Sequence, residues 1–269
     1  MPPKRKPTLL SIIPSSKHIN RFTHTLSTQS GIDATLATIC YTSLFLSTQL
    51  PLIKTTIRPS PTSTKSTPTP PSPPPKPALK NLYTALEDHC IFSRIFGLFP
   101  FYTSLHGAFT TPHRDPLVKT LLYASLLSGT AFQALENVAL LTQKGVLRGR
   151  IFRNWENWCW LVSNRFWLAQ LVFEAGRLGR VAQVGWREEL GAEAVVSEKD
   201  ADEVAVQSAE LKRKWWRELY VTLASIPLAV HWSFEEGKSP VSEVLFAASG
   251  VVSGVVALRD AWDEAAVVE

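Results

Sequence analysis

Apolar residues recur at intervals of three and four positions along most of the chain, and the strict alternation that marks β-strands is absent. The periodic segments run from 17 to 53, from 78 to 184 and from 211 to 262. Such spacing gathers apolar side chains on one face of a helix and leaves charged ones opposite. The pattern therefore predicts an all-α protein built from amphipathic helices.

Two breaks interrupt this periodicity. Residues 59–77, PSPTSTKSTPTPPSPPPKP, hold nine of the nineteen prolines, which lack a backbone donor and favour extended geometry over packed helix. The second break is dense in charge and poor in large apolar side chains. The predicted organisation is a basic arm at 1–16, a helical segment at 17–53, a linker at 54–77, a central amphipathic region at 78–184, a charged loop at 185–210 and a helical hairpin at 211–262.

The predicted hairpin consists of two uncharged runs, 219–234 and 244–258, separated by the turn EEGKSP at 235–240. Each run is shorter than the roughly 20 residues that a helix needs to cross a bilayer. We therefore expect partial insertion, or flanking charges that reach back to the headgroups. Gly250 and Gly254 lie on one helical face and predict close helix approach in lipid, as a self-association contact.

A second apolar stripe follows the linker, in a helix predicted from about 79 to 98. Its apolar side chains share one face, and a basic residue stands among the aromatics of IFSRIFGLFPF. This is the pattern of a helix that lies in a membrane interface, although a soluble core helix shows the same stripe. The predicted membrane-insertion residues are Leu79, Leu82, Tyr83, Leu86, Arg94 and Phe96.

Glu136 and Asn137 interrupt the apolar pattern of the segment that begins at Lys119. A carboxylate and an amide facing lipid would be costly, so both require a protein partner, a kink or the headgroup level. We predict that they form a polar contact between helices or with headgroups. The alternative is a buried pair within the chain that merely fixes helix register.

Charge and composition also indicate an association with a membrane. Residues 1–86 contain ten Lys and Arg against one acid, whereas the remainder contains eighteen against twenty-two. A basic amino-terminal third suits anionic headgroups or nucleic acid, or is simply well solvated. Nine Trp and thirteen Phe are many for a soluble domain. Together with the hairpin, they predict a membrane-associated helical bundle.

Candidate chemistry is sparse. Cys40, Cys90 and Cys159 are far apart and fit neither a zinc site nor a disulfide framework, which indicates buried thiols in a reducing compartment. The six histidines never stand at metal-ligand spacing, and no nucleophile, phosphate-binding or dinucleotide motif occurs. We therefore predict no enzyme activity, cofactor or metal.

Three segments resemble the peroxin-11 family of peroxisomal membrane-elongation proteins. GIDATLATICY at 31–41 resembles the family's Gly-x-Asp-Lys…Tyr signature, and FQALENVALLTQKGVL at 132–147 is similar to its aromatic, Asp/Glu-Asn and Gly-apolar segment. SIPLAVHW at 225–232, followed by GVVSGVVALRDAW at 250–262, resembles its closing pattern.

The chain also departs from that pattern. Ile32 and Ala34 stand where the family usually has basic residues, and Ser225 where it usually has Asp. With the long proline-rich insert, these departures suggest a divergent fungal-type branch. The lost basic residues weaken the expectation of strong amino-terminal lipid binding.

The resemblance implies a protein of the peroxisomal membrane that inserts amphipathic helices, elongates the membrane and promotes proliferation and fission. The implied partners are anionic headgroups of the bilayer, further copies of the chain and the fission machinery. The clusters Arg148/Arg150/Arg153 and Lys212/Arg213/Lys214 beside apolar segments also suit a membrane-protein import receptor.

Two other functions would account for part of this pattern. A channel or solute transporter needs several complete spans, and only 34–53 reaches twenty uncharged residues, with Thr, Ser, Gln and Pro51 among them. A nucleic-acid-binding module would use the basic amino terminus, but that region lacks clustered aromatics for base stacking. We therefore predict no nucleic-acid partner and keep the channel as the alternative.

Overall fold

The structure is a computed structural model that describes residues 16–57, 78–110, 115–185, 201–235 and 237–267. Within these residues the chain forms eight α-helices, one 3₁₀ turn and no strand, so the predicted all-α class is confirmed. The elements are α1 (Ser16–Thr25), α2 (Gln29–Ile57), α3 (Ala78–Ser93), the 3₁₀ turn (Arg94–Phe96), α4 (Leu98–Thr110), α5 (Pro116–Gln143), α6 (Arg150–Val184), α7 (Ala201–Trp232) and α8 (Glu243–Val267).

Several helix boundaries differ from the predicted ones. α2 continues to Ile57, into the predicted linker, and α7 begins at Ala201, inside the predicted charged loop. The helix predicted from about 79 to 98 ends at Ser93 instead. Most of the predicted arm, most of the linker and residues 186–200 lie outside the described residues.

The early end of α3 has a local cause. The Arg94 guanidinium donates to the Cys90 carbonyl at 3.0 Å and so satisfies an acceptor at the helix end. The next turn tightens to 3₁₀ geometry, in which the Gly97 amide donates to the Arg94 carbonyl at 2.8 Å. The chain therefore changes direction between α3 and α4.

The start of α5 follows from its sequence. Asp115 accepts hydrogen bonds from the backbone amides of Leu117 and Val118, at 2.7 and 3.2 Å, and Pro116 occupies the first helical position. Burial acts to raise the pKa of Asp115, but these amides and the Arg180 guanidinium hold it below its ordinary value. Asp115 thus ties the start of α5 to the end of α6.

The helices pack in a continuous spatial order that differs from chain order. α5 contacts α4 and α6, α6 contacts α7, and α7 contacts α8. α8 contacts α2 and α1, and α2 contacts α3. Because the 3₁₀ turn after α3 also contacts α5, the two ends of this series meet.

Two apolar clusters hold the series together. The smaller joins α5, α6 and α7, where the Trp215 indole also donates to the Leu178 carbonyl at 3.0 Å. The larger joins α2, α3, α7 and α8, with Trp167 of α6 against its edge. Its buried members are Cys40, Leu44, Tyr83, Leu228, Phe246 and Ala247.

α7 and α8 pack against each other, with the Ser225 and Ser253 hydroxyls 3.1 Å apart and Arg217 paired with Asp260. Of the described helices, only α8 contains a segment, Glu243–Ala266, long and apolar enough to cross a membrane. The same test is passed by core helices of soluble proteins, and a third of the scored window is buried in the fold.

Candidate membrane interface

Five aromatic side chains of α3, the 3₁₀ turn and α4 are exposed. Their exposed fractions run from 57% for Phe92 to 70% for Phe109, values that are high for such large apolar groups. Three of them, at positions 99, 102 and 109, lie on one face of α4 because they are spaced by three and seven residues. We call the set the aromatic surface: Phe92, Phe96, Phe99, Tyr102 and Phe109.

The opposite face of α4 packs against α5. Ala108 is buried, and its carbonyl accepts a hydrogen bond from the Tyr123 hydroxyl at 3.0 Å. A Cβ added at Gly129 of α5 would lie 2.3 Å from Cε1 of Phe101, so glycine is needed for this approach. α4 is thus apolar on both sides. Its outer side exposes Phe99 and Tyr102, while the Phe109 ring also contacts the Tyr123 ring of α5.

A polar network fixes the turn that precedes α4. The Asn137 amide donates to the Ile95 carbonyl at 2.9 Å, and Arg94 lies 3.6 Å from the Glu136 carboxylate. The Gln133 amide donates to both Glu136 and Asn137, at 3.3 and 3.0 Å. These contacts attach the turn to the middle of α5, where sequence reasoning had placed an interhelical polar contact.

Glu136 is the buried acidic residue of this network. It is 5% exposed, and burial raises the pKa of its carboxyl because a charge loses hydration there. The Arg94 guanidinium and the Gln133 amide partly offset that rise. Arg94 itself is partly exposed, so the pair places the buried charge beside a counter-ion that still reaches water.

A second polar contact, which sequence reasoning missed, attaches the end of α3 to α2. The Ser93 hydroxyl donates to the Asp33 carboxylate at 2.6 Å, and the Gln29 amide donates to the Ser93 carbonyl at 2.9 Å. Asp33 is the single acid of residues 1–86, which was the available signal. The turn before α4 is therefore held from two sides.

The predicted membrane-insertion residues separate into two groups. Leu82 and Phe96 are 42% and 62% exposed. Tyr83 is 8% exposed and packs near Tyr41 in the larger apolar cluster, against which Leu86 also packs. Leu79 is partly buried. α3 therefore uses Tyr83 and Leu86 of the predicted stripe to pack against the larger apolar cluster, and insertion of the stripe into a membrane stays a prediction.

Arg94 was predicted as a membrane-insertion residue. The structure places its guanidinium against Glu136 and the Cys90 carbonyl. The Glu136 carboxylate is buried behind it and is its counter-charge. Arg94 thus contributes to the presentation of the aromatic surface rather than to the surface itself.

A family model described as Peroxisomal biogenesis factor 11 (PEX11) matches residues 72–262. The chain belongs to this family. The PEX11 match includes the aromatic surface, the polar network and the α7–α8 pair, whereas the resembling segment 31–41 precedes it. No curated protein and no solved structure matches the chain.

The predicted membership of the peroxin-11 family is confirmed. PEX11 proteins are peroxisome biogenesis factors and are not a known family of enzymes. Among the described residues, no group of three or more His, Cys, Asp and Glu is arranged to hold a metal ion. Membership associates the protein with the peroxisome and its biogenesis.

The two glycines predicted as a self-association contact lie within the PEX11 fold. A Cβ at Gly250 would lie 2.2 Å from Cδ1 of Tyr41, and one at Gly254 would lie 2.9 Å from Oγ1 of Thr38. Both glycines are buried where α8 crosses α2 of the same chain. Their small size therefore has an explanation within one chain, and self-association stays a prediction.

Proposed function

We propose that the protein remodels and elongates the peroxisomal membrane by inserting its aromatic surface into one leaflet. The observation that carries this proposal is the exposure of five large aromatic side chains along α3, the turn and α4. Exposed apolar patches of this kind mark interaction sites. Membership of a family of peroxisome biogenesis factors supports a membrane as the partner.

The wedge works by unequal expansion of the two leaflets. An apolar helix face buried about 5–10 Å into the headgroup boundary expands that leaflet and favours positive curvature. Full burial of one large apolar side chain contributes about 1.5–3 kcal/mol. Five partly exposed aromatics therefore give a favourable insertion of several kcal/mol.

The inserted segment bends the membrane only if the rest of the bundle holds it in a fixed orientation. A segment that rotates freely would not impose curvature. Asn137 and Glu136 hold the turn from α5, and Asp33 holds the end of α3 from α2. α4 is also fixed by its inner face. In this proposal the polar network orients the wedge and does not itself contact lipid.

We assign the membrane anchor to α8. Its outer side exposes Val244, Leu245, Val252 and Val255, and its segment Glu243–Ala266 is long enough to cross the bilayer. The proposal includes self-association of many copies, delivery of the narrowed tubule to fission machinery and insertion by a membrane-protein import receptor. The channel alternative gains no support, since one described helix qualifies as a span.

The test replaces three members of the aromatic surface without touching the core. Phe96→Ser, Phe99→Ser and Tyr102→Ser are combined in the full chain, and the control combines Trp216→Ser, Tyr220→Ser and Phe234→Ser at exposed aromatics of α7 and its end. Peroxisome length is imaged against a matrix marker, and tubules are counted after reconstitution into vesicles.

We expect the first triple variant to lose elongation and tubulation while it keeps wild-type helix content by circular dichroism. The control should retain both activities. If the first variant elongates peroxisomes as well as the wild type does, the aromatic surface is not the wedge.

A further inference from the structure

The connection between α5 and α6 presents a second exposed apolar surface. Ile151 is 71% exposed, Val146 66%, Trp155 57% and Trp158 50%. The chain folds back here through Gly145 and Gly149, whose φ angles of 73° and 140° favour glycine. We call the segment 146–158 the Trp/Arg corner, because three arginines, Arg148, Arg150 and Arg153, alternate with these side chains.

The positive charges of the corner outnumber the negative ones. Its segment 146–158 contains three arginines and one acid, Glu156. Arg148 donates to the Gly145 carbonyl at 3.0 Å, but none of the three corner arginines pairs with a carboxylate among the described residues. Elsewhere in the fold, Arg177 pairs with Glu174 and Glu218, and Arg217 pairs with Asp260. The corner therefore carries a net positive charge that faces solvent.

A small open groove lies between the corner arginines. Its volume is about 330 Å³, and it is lined by Thr142, Gly145, Leu147, Arg148, Gly149 and Arg153. A guanidinium presents a planar fork of donors that matches phosphate oxygens, and two of them converge here. The groove thus combines cationic donors and a hydroxyl beside exposed apolar side chains.

Tryptophan and arginine together characterise the boundary between headgroups and acyl chains. Trp side chains concentrate at that level, where the ring is buried and the N–H stays wet. Each Lys or Arg near an anionic leaflet adds about 1 kcal/mol of attraction. An acidic protein surface could satisfy the arginines, but it offers less to the apolar side chains that extend past them.

We propose that the Trp/Arg corner is a second membrane-contact site, which binds the phosphate headgroups of anionic phospholipids in the groove between Arg148 and Arg153. Ile151 and Trp155 then enter the interfacial region beside the bound headgroup. This inference rests on the proposed function in that the protein acts on a bilayer. It adds a preference for anionic lipid that the uncharged aromatic surface does not provide.

The position of the corner supports joint action with the wedge. Lys144 lies at the start of the connection and pairs with Asp88 of α3 at 3.4 Å. Asp88 is one helical turn from Phe92, the first member of the aromatic surface. The Lys144–Asp88 pair therefore places the corner close to the start of the wedge.

The test compares the full chain with two variants that lose the same charge. The corner variant carries Arg148→Gln, Arg150→Gln and Arg153→Gln, and the control carries Lys212→Gln, Arg213→Gln and Lys214→Gln on α7, also exposed. Flotation measures binding to phosphatidylcholine vesicles and to vesicles that also contain phosphatidylserine. Both measurements are repeated at raised salt.

We expect the wild type and the control to bind the phosphatidylserine vesicles more tightly, with the difference shrinking at high salt. The corner variant should lose about a hundredfold of that preference, as three headgroup-facing cations predict. An unchanged preference in the corner variant, or an equal loss in the control, overturns the proposal. The proposal is also overturned if the wild type binds inorganic phosphate in the absence of vesicles and the corner variant does not, because the site is then one for free phosphate.

Failure of this inference is distinguishable from failure of the wedge. The aromatic-surface variant tests tubulation on phosphatidylcholine vesicles, where the corner has no anionic headgroup to bind. A chain that tubulates these vesicles but shows no preference for phosphatidylserine refutes the corner and retains the wedge. A chain that prefers phosphatidylserine vesicles but does not tubulate phosphatidylcholine vesicles refutes the wedge and retains the corner.

Discussion

The Arg94 guanidinium lies 3.6 Å from the Glu136 carboxylate and links the turn before α4 to the middle of α5. One partner is buried and the other reaches solvent, so the buried charge is balanced while its counter-ion keeps part of its hydration. The two residues are forty-two positions apart, and the pair fixes where α4 begins relative to the bundle.

Removal of the Glu136 carboxylate should loosen this turn. Glu136→Ala removes one acceptor from the Arg94 guanidinium and one from the Gln133 amide, and it should lower the free energy of unfolding by about 1–3 kcal/mol. Thermal unfolding in detergent micelles, followed by circular dichroism, measures the loss. Glu264→Ala, at an exposed position of α8, is the control and should change stability by less than about 0.5 kcal/mol.

The same carboxyl predicts a pH dependence of stability. Burial raises the pKa of Glu136 in the folded chain above its ordinary value of 4.5, so the folded state holds this proton while the unfolded state releases it. The stability that the protonated Glu136 carboxyl contributes is therefore fully present below about pH 4.5 and is lost as pH rises through the pKa of the folded state.

Glu136→Gln removes the titrating group and keeps the shape of the side chain. In unfolding experiments, the free energy of unfolding of the variant minus that of the wild type should therefore increase as pH rises from 4 to 7. The slope of this increase should be on the order of that for one titrating proton. Glu87, whose pKa is also raised by burial, titrates in both proteins and cancels in the comparison. A difference that does not vary with pH would show that Glu136 titrates alike in both states.

Helical periodicity was sufficient to predict the all-α class, and the position of Glu136 and Asn137 in an apolar run was sufficient to single them out. Arg94, the partner of Glu136, was predicted as a membrane-insertion residue, because the pattern of one helix does not specify which neighbour its stripe meets. Tyr83 shows the same limit, since α2 covers it from forty residues away.

The aromatic surface was largely missed for a different physical reason. In α4, Phe101 and Ala108 on the inner side alternate with Phe99, Tyr102 and Phe109 on the outer side, so both faces are apolar. Such a segment has no polar face for periodicity to detect. Only the packing of α4 on α5 decides which aromatics remain exposed.

The glycine contact between α8 and α2 gives a third prediction. A methyl at Gly250 would lie 2.2 Å from the Tyr41 ring, so Gly250→Ala forces the two helices apart and should cost about 1–3 kcal/mol of stability. Gly179→Ala in α6 is the control, because nothing lies within 4 Å of its added methyl. That change should be neutral or stabilising by up to about 1 kcal/mol, from helix propensity alone.

Chemical crosslinking of both glycine variants separates the two roles of Gly250. Loss of stability with unchanged crosslinked dimers agrees with packing inside one chain. If Gly250→Ala instead loses the crosslinked dimers while its stability is unchanged, Gly250 is a self-association contact.

The last prediction concerns the two faces of α3, where neighbouring residues should respond in opposite ways. Tyr83 lies in the larger apolar cluster, and its hydroxyl donates to Glu87 at 2.8 Å. Tyr83→Ala should therefore open a cavity against Cys40 and Phe246 and cost about 3–5 kcal/mol. Leu82→Glu faces solvent and should leave stability within about 0.5 kcal/mol of the wild type. If Leu82 also touches lipid, flotation with phosphatidylcholine vesicles should weaken for this variant alone. Equal destabilisation by both substitutions would mean that α3 is covered on both faces.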